Sequence, residues 1–245
     1  MPAPGFVPFG EVVEIKLGGV TGAASFFLLT EQQRKDLRLP VRSLRPVLSK
    51  ARHLIASETT LREWQFLRAN GHRIWLIDPS PAQIRHNAVS EYLELITSSD
   101  SSIKERYKIK RREPWYRTPV PRTCHGFLSG MSRHGPWISL NMVPRLTVTN
   151  TLYAVSFRAA TTIDERCAWA LSLMTSEVRS SIASLGRVYA DGLVKYEPGD
   201  LARLLVRKPT ATTGARQLYQ QAVSCFLVGD SDRATEIADQ FSWCS

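Results

Sequence analysis

Apolar and polar residues alternate along this chain with two different periods. Val13, Ile15 and Leu17 trade places with Glu14 and Lys16, and side chains that switch sides at every residue predict a strand with one wet face. Ile74-Trp-Leu-Ile77 is apolar throughout, which predicts a buried strand, and the runs 137–142 and 147–157 predict two more, separated by Pro144 and Arg145. Elsewhere the spacing is helical. Ile84, Ala88, Tyr92 and Ile96 share one face of a helix that Ser80, Pro81 and Gln83 start. Thr30 and Gln33 form a capping-box pair, in which two side chains satisfy backbone donors at a helix head, and Leu39-Pro40 ends the short helix that follows. Thr162 and Glu165 repeat the pair before the stripe Ile163, Cys167, Ala170, Met174, Val178, Ile182 and Leu185, predicting one long helix over 162–185 that Gly186 stops. From Thr210 the pattern predicts a helical hairpin: one helix over 215–227, a break at Gly229, and a second helix capped by Asp230 or Ser231 that carries Ala234, Ile237, Ala238 and Phe241.

These elements predict an α+β fold. A mixed, mostly antiparallel sheet from roughly the first 160 residues is covered by the helices near 81–98 and 162–185. The main domain is expected over 1–208, with the helical tail 209–245 packing on that domain or on a partner, because two short helices bury little by themselves.

Composition narrows the function classes. With 245 residues, 43% of them hydrophobic, the chain has material for a sizeable core. No apolar run approaches the roughly 18 residues of a membrane span, so no membrane partner is expected. Cys124, Cys167, Cys225 and Cys244 stand far apart with no His at ligand spacing. That argues against a zinc site, and isolated thiols without a secretory leader fit a reducing cytoplasm. Met1 followed by Pro2-Ala-Pro reads as a natural start.

Charge then changes the picture. Segment 104–117 reads Lys-Glu-Arg-Tyr-Lys-Ile-Lys-Arg-Arg-Glu-Pro-Trp-Tyr-Arg, and from Lys104 to Arg145 ten cations face two carboxylates, a local excess of +8 in a chain whose total is +10. Tyr107, Trp115, Tyr116 and Trp137 lie among those cations. Lys and Arg neutralise phosphates while aromatic faces stack on bases, so the segment suits a nucleic acid. A solvated basic loop with core aromatics has the same composition. The glycines of Gly18-Gly-Val-Thr-Gly22 fit neither Gly-x-Gly-x-x-Gly nor a Walker loop, and a tight turn between strands is expected there.

Four motifs in order, Gly18-Gly-Val-Thr-Gly22 with Phe26-Phe-Leu-Leu29, Arg106-Tyr-Lys with Arg111-Arg-Glu-Pro-Trp-Tyr-Arg117, Leu140-Asn with Thr149-Asn-Thr-Leu152, and Gly192-Leu-Val-Lys-Tyr-Glu-Pro-Gly-Asp-Leu201, carry a resemblance. Over roughly residues 8–208 the chain resembles the target recognition domain, the C-terminal half, of TaqI-like gamma-class adenine-specific DNA methyltransferases. That half is similar in fold to the recognition domains of type I specificity subunits. The resemblance implies that the basic segment lies along double-stranded DNA while neighbouring loops read base edges in the major groove. The chain departs from the family's catalytic half. It has no Asn-Pro-Pro-Tyr, of which Asp78-Pro-Ser-Pro81 is the nearest imitation, and no Gly-rich S-adenosylmethionine loop. It has no His-x-x-x-His pair, and few acids near the basic segment to hold a nuclease metal.

The reading is therefore a specificity protein of a restriction-modification system, with no catalytic, cofactor or metal residues of its own. It would partner a catalytic methyltransferase chain that carries S-adenosylmethionine, or be the recognition half of a longer enzyme. A DNA- or RNA-binding interaction protein with no sequence readout is the alternative. Lys108, Lys110, Arg111 and Arg112 are expected on phosphates, which set register and carry no sequence information. Arg133, in Gly130-Met-Ser-Arg-His-Gly135, is the candidate for a bidentate contact to guanine. Thr21 and Asn150 are loop-end donors or turn residues. Trp115 and Tyr116 touch bases or pack, and Arg117 and Arg145 complete the DNA-binding set.

Overall fold

The alternating N-terminal strand, Val13–Leu17, lies at the edge of a five-stranded sheet in the computed structural model, which describes residues 3–185 and 187–244. Gly186, the expected helix stop, and the start at Met1 and Pro2 lie outside the described residues. Across the sheet follow Leu152–Phe157, Gly126–Ser129, Ser139–Asn141 and Glu58–Thr59. The alternation holds where the strand is covered: Val13 is buried and Glu14 exposed, but Leu17 emerges 47% exposed as the strand leaves the core.

A second sheet of four strands runs Leu28–Leu29, Trp75–Ile77, Leu44–Leu48, Thr147–Val148. Phe6–Pro8 pairs with Leu205–Arg207, and Met131–Ser132, Val194–Lys195 and Arg187–Val188 make a small third layer. Among the described residues every strand pairing is antiparallel except Thr147–Val148 with Leu44–Leu48 and Glu58–Thr59 with Ser139–Asn141. The fold is α+β and mostly antiparallel, as expected, yet its strands are divided among four small sheets, not one.

That division has a local cause. The apolar run 147–157 is two strands that change sheets at the polar triplet Thr149-Asn150-Thr151. The Thr149 amide donates to Leu48 O at 3.1 Å, the Leu152 amide turns back to Thr149 O at 2.9 Å, and the Thr151 hydroxyl donates to Ser49 O at 2.8 Å. Only Ser139–Asn141 of the run 137–142 pairs as a strand.

The helices follow their caps. Thr30 with Gln33, Thr60 with Glu63 and Thr162 with Glu165 all close as capping boxes, heading Glu31–Asp36, Leu61–Ala69 and Ile163–Ser172. Ser80 and Gln83 start one 3-10 turn, Gln83–Arg85, and the helix proper is Asn87–Ser99, burying Val89, Tyr92, Leu93 and Ile96. The long stripe is interrupted. Ile163–Ser172 ends, the Thr175 hydroxyl donates back to Ser172 O at 3.1 Å, and Ser176–Leu185 restarts with its Ser176 amide donating to the Asp239 carboxylate at 3.0 Å. A periodic apolar face does not reveal such a restart, because Cys167, Ala170, Met174 and Val178 stay buried on both sides of it.

In the tail, Ala215–Leu227 packs on Ile163–Ser172, and Ser231–Asp239 packs on Ala215–Leu227. The buried Tyr219 hydroxyl donates to Ile138 O and accepts from the Ile138 amide at 3.1 Å. Arg216 forks onto the buried Glu58 carboxylate with two contacts of 2.7 Å, the geometry that makes an arginine–carboxylate pair directional. Asp230 caps the last helix by accepting from the Arg233 amide at 3.1 Å. Among the described residues all four cysteines are unpaired; burial pushes the Cys124 thiol up to about 11 and Cys167 up to about 12, so neither is a thiolate near neutral pH. No helix there is long and apolar enough to cross a membrane.

Two outcomes follow from this packing. Tyr219→Phe keeps the ring but removes the hydroxyl that serves both backbone groups of Ile138; thermal unfolding should show a loss of roughly 1–3 kcal/mol. Arg38 stands at φ 52° after Glu31–Asp36, where its amide reaches Lys35 O at 2.9 Å and the Leu39 amide reaches Arg34 O at 3.0 Å. A left-handed residue closing a helix in this way favours glycine. Arg38→Gly should therefore raise stability by roughly 0.5–1 kcal/mol, the relief of the side-chain clash less the added freedom of the unfolded chain, read as a higher denaturation midpoint.

Candidate nucleic-acid interface

Three arginines hold the glycine loop 18–24 from two sides. Arg112 donates to Val20 O at 2.5 Å, to Thr21 O at 2.7 Å and to the Thr118 hydroxyl at 3.3 Å, with its guanidinium 5.3 Å from the Phe27 ring centre. Arg106 reaches Gly22 O at 3.3 Å, and from the opposite side Arg73 reaches Ala24 O at 3.1 Å. Carbonyl oxygens carry partial negative charge, so guanidinium donors fix a loop that has no strand partner along most of its length.

Glycine is required here for closeness. A Cβ on Gly18 would stand 2.2 Å from Thr149 O, and one on Gly19 would stand 2.8 Å from Pro119 O. The expected strand-to-strand turn is instead a passage into one helical turn, Ala24–Phe27, before Leu28–Leu29.

The ten-cation segment is less free than its sequence suggests. Arg106 pairs with Asp100 at 2.5 Å, Lys110 with Glu105 at 2.8 Å, and Arg117 with Asp78 at 3.1 Å. Arg112, expected on phosphate, is committed to the glycine loop, and burial draws its guanidinium down from the usual value without discharging it. Asp78, the first residue of the imitation motif, is a buried anion between Arg45 at 2.9 Å and Arg117. Arg111, Arg112 and Arg117 share with it a cleft of about 340 Å³.

What remains outward is compact. The Tyr107 ring is 60% exposed, with the Arg111 guanidinium 4.2 Å and the Lys108 ammonium 5.3 Å from its centre. Trp115 and Tyr116 take the packing alternative: Tyr116 is buried, and Trp115 is half-buried edge-on to both Phe27 and Tyr116. Trp137 is buried too, 6.1 Å from the Phe226 ring.

Thr21 and Asn150, distant in sequence, meet at a cleft of about 380 Å³ on the other side of the loop. Thr21 is buried; Asn150 is exposed, and its amide donates to Gly19 O at 3.2 Å. Lys50, Arg52, His53, His72 and Arg73 line the same cleft, and none of its lining residues is acidic. Burial, with His72, Arg52 and Lys50 close by, pushes His53 down to about 4, so its imidazole is neutral near pH 7 and accepts from the Ser49 amide at 3.2 Å. Sequence reasoning missed this cluster because its cations come from two stretches, 50–53 and 71–73, that only the fold brings together.

Arg133 and Arg145 join neither cleft. Both are exposed, Arg133 beside Met131–Ser132 and Arg145 at φ 62° in the loop before Thr147–Val148. Among the described residues no group of three or more His, Cys, Asp or Glu is placed to hold a metal ion.

Comparison with known proteins bears on the whole chain. Residues 2–241 match the family described as type II methyltransferase M.Eco57I, C-terminal domain. The chain is 22% identical over 196 residues to the type II methyltransferase M.AccI of Acinetobacter calcoaceticus, covering 80% of this chain and 35% of that protein. It is 26% identical over 210 residues to the type II methyltransferase M.XamI of Xanthomonas campestris pv. amaranthicola, covering 82% and 36%. The chain thus spans about a third of the length of these relatives. Its fold is similar to part of the type IIG restriction endonuclease BpuSI, with a TM-score of 0.55 and 9% identity over 96% of this chain and 31% of that one. The chain therefore belongs to the family of the C-terminal domain of the type II methyltransferase M.Eco57I.

Proposed function

We propose that the chain recognises double-stranded DNA in a sequence-dependent way for an adenine-specific methyltransferase of a cytoplasmic restriction-modification system. In this reading the S-adenosylmethionine site and the catalytic groups lie on a separate partner chain. The observation that carries it is the exposed Tyr107 ring with Arg111 and Lys108 around it. Two cations with no carboxylate partner beside an exposed ring suit the phosphates and sugars along a duplex. Membership in a methyltransferase C-terminal family supports a DNA partner. These residues hold no Asn-Pro-Pro-Tyr, and the nearest imitation commits its Asp78 to two arginines, which supports catalytic groups outside this domain.

The residues divide by environment. Lys108 and Arg111 hold phosphates; Lys110 reaches one by exchanging its exposed partner Glu105, a weak contact at a wet surface. Arg112 braces the loop, Arg117 with Arg45 fixes Asp78, and Trp115 and Tyr116 support the segment from below. Arg133, Arg145 and Asn150, exposed on three separate loops, read base edges or the outer backbone.

The purified chain should retain preference for one short duplex site when random duplex is added in excess, and should transfer no methyl group by itself; equal loss on every duplex would reject sequence readout. Lys108→Ala with Arg111→Ala should weaken binding to all duplexes and flatten its salt dependence by a slope of about 1 per phosphate released. Arg112→Ala should act otherwise, removing roughly 1–3 kcal/mol of stability by stranding the Val20 and Thr21 carbonyls, measured by thermal denaturation. Arg133→Ala should relax preference at one base position at a cost of about 1–3 kcal/mol, visible in a full binding-preference profile.

A further inference from the structure

The cleft between the glycine loop, residues 50–53 and residues 71–73 gathers positive charge outside segment 104–145 with no acid in its lining. Lys50 and Arg52 are exposed, and among the described residues neither side chain has a hydrogen-bond or carboxylate partner. Arg73 gives one guanidinium nitrogen to Ala24 O at 3.1 Å and lines the same cleft. His72 contributes an imidazole whose ring lies 4.9 Å from that of His53. Thr149, Asn150 and Thr151 complete the wall.

Three permanent cations facing about 380 Å³ of open space with no acid among the lining residues repel one another. A protein keeps such a site open only against that repulsion, and an anion removes it. The cleft therefore differs from the one around Asp78, where a buried carboxylate already serves Arg45 and Arg117.

We propose that this cleft is a second phosphate-binding site, and that its ligand is a phosphodiester of the same duplex whose other contacts are Lys108 and Arg111. The inference rests on the DNA-recognition reading above. The loop geometry supports it: Gly22 lies against Lys108 and Ile109 on one side, where a Cβ would meet them at 3.3 and 3.1 Å, while Thr21 and Ala24 line the cleft on the other. The two cationic groups thus flank one loop that Arg106, Arg112 and Arg73 hold in place. A groove of a duplex presents phosphates on both its walls, which suits cations on both sides of an inserted loop. His53 stays neutral and holds the 50–53 turn through Ser49.

The test uses the full chain and fluorescence anisotropy of a labelled duplex across a salt series, comparing wild type, Lys50→Ala with Arg52→Ala, and Lys108→Ala with Arg111→Ala. Lys50 and Arg52 are exposed, so the fold should persist, checked by an unchanged melting curve. The expected result is a salt slope reduced by roughly one unit for each phosphate no longer held in each double variant, with the reductions adding when all four are combined. A cleft variant with the wild-type slope, beside a flattened Lys108/Arg111 variant, overturns the second site and leaves DNA recognition standing. Wild type that binds no duplex overturns both. Inorganic phosphate titrated by NMR distinguishes the source: binding that the cleft variant abolishes, with the duplex slope unchanged, assigns the cleft to free phosphate and also overturns the proposal.

Discussion

The glycine loop beside the candidate interface depends on a guanidinium that faces inward. Arg112 stands over Phe27 and gives two donors to the carbonyls of Val20 and Thr21, tying a loop that follows the strand Val13–Leu17 to a segment about ninety residues later. An arginine suits the task because its planar fork satisfies several acceptors at once and its charge survives burial. Were the loop free, Thr149 and Asn150 would lose the backbone they lean on, and the cleft lined by Lys50, Arg52 and Arg73 would lose the wall that Thr21 and Ala24 give it.

The sequence located the charge correctly and misjudged how much of it is available. Counting cations against the two carboxylates within the segment omits Asp78 and Asp100, which lie outside it and pair with Arg117 and Arg106. It also assigns Arg112 to a phosphate, when its acceptors are the backbone carbonyls of Val20 and Thr21, which no residue count can reveal. Conversely, Lys50, Arg52 and Arg73 look ordinary in one dimension and converge because the connection from Leu44–Leu48 to Trp75–Ile77 starts and ends at the same edge of that antiparallel pair.

What was legible was local. The capping boxes at Thr30 and Thr162 closed as their spacing demands, and the tail hairpin broke at Gly229 with Asp230 as the cap, because each of those signals needs only a few neighbouring residues. The α+β class followed from the two periodicities. What could not be read depends on distant partners: the strand over 147–157 changes sheets to meet Leu48 on one side and Gly18 on the other, and the helix over 162–185 restarts where Asp239 arrives to cap it. Burial at Trp115 and Tyr116 belongs to the same class, since a Trp after a Pro is apolar cargo whichever way it faces until Phe27 is known to sit beside it.

The fork between Arg216 and Glu58 spans 158 positions, and the Asp239 cap on Ser176 spans 63. A polypeptide emerging from the ribosome at roughly 5–20 residues per second exposes Glu58 well before its counter-ion, which is made 158 positions later. Closure of these two contacts therefore waits for the helices over 215–227 and 231–239 and is slowed by the length of the loops they close.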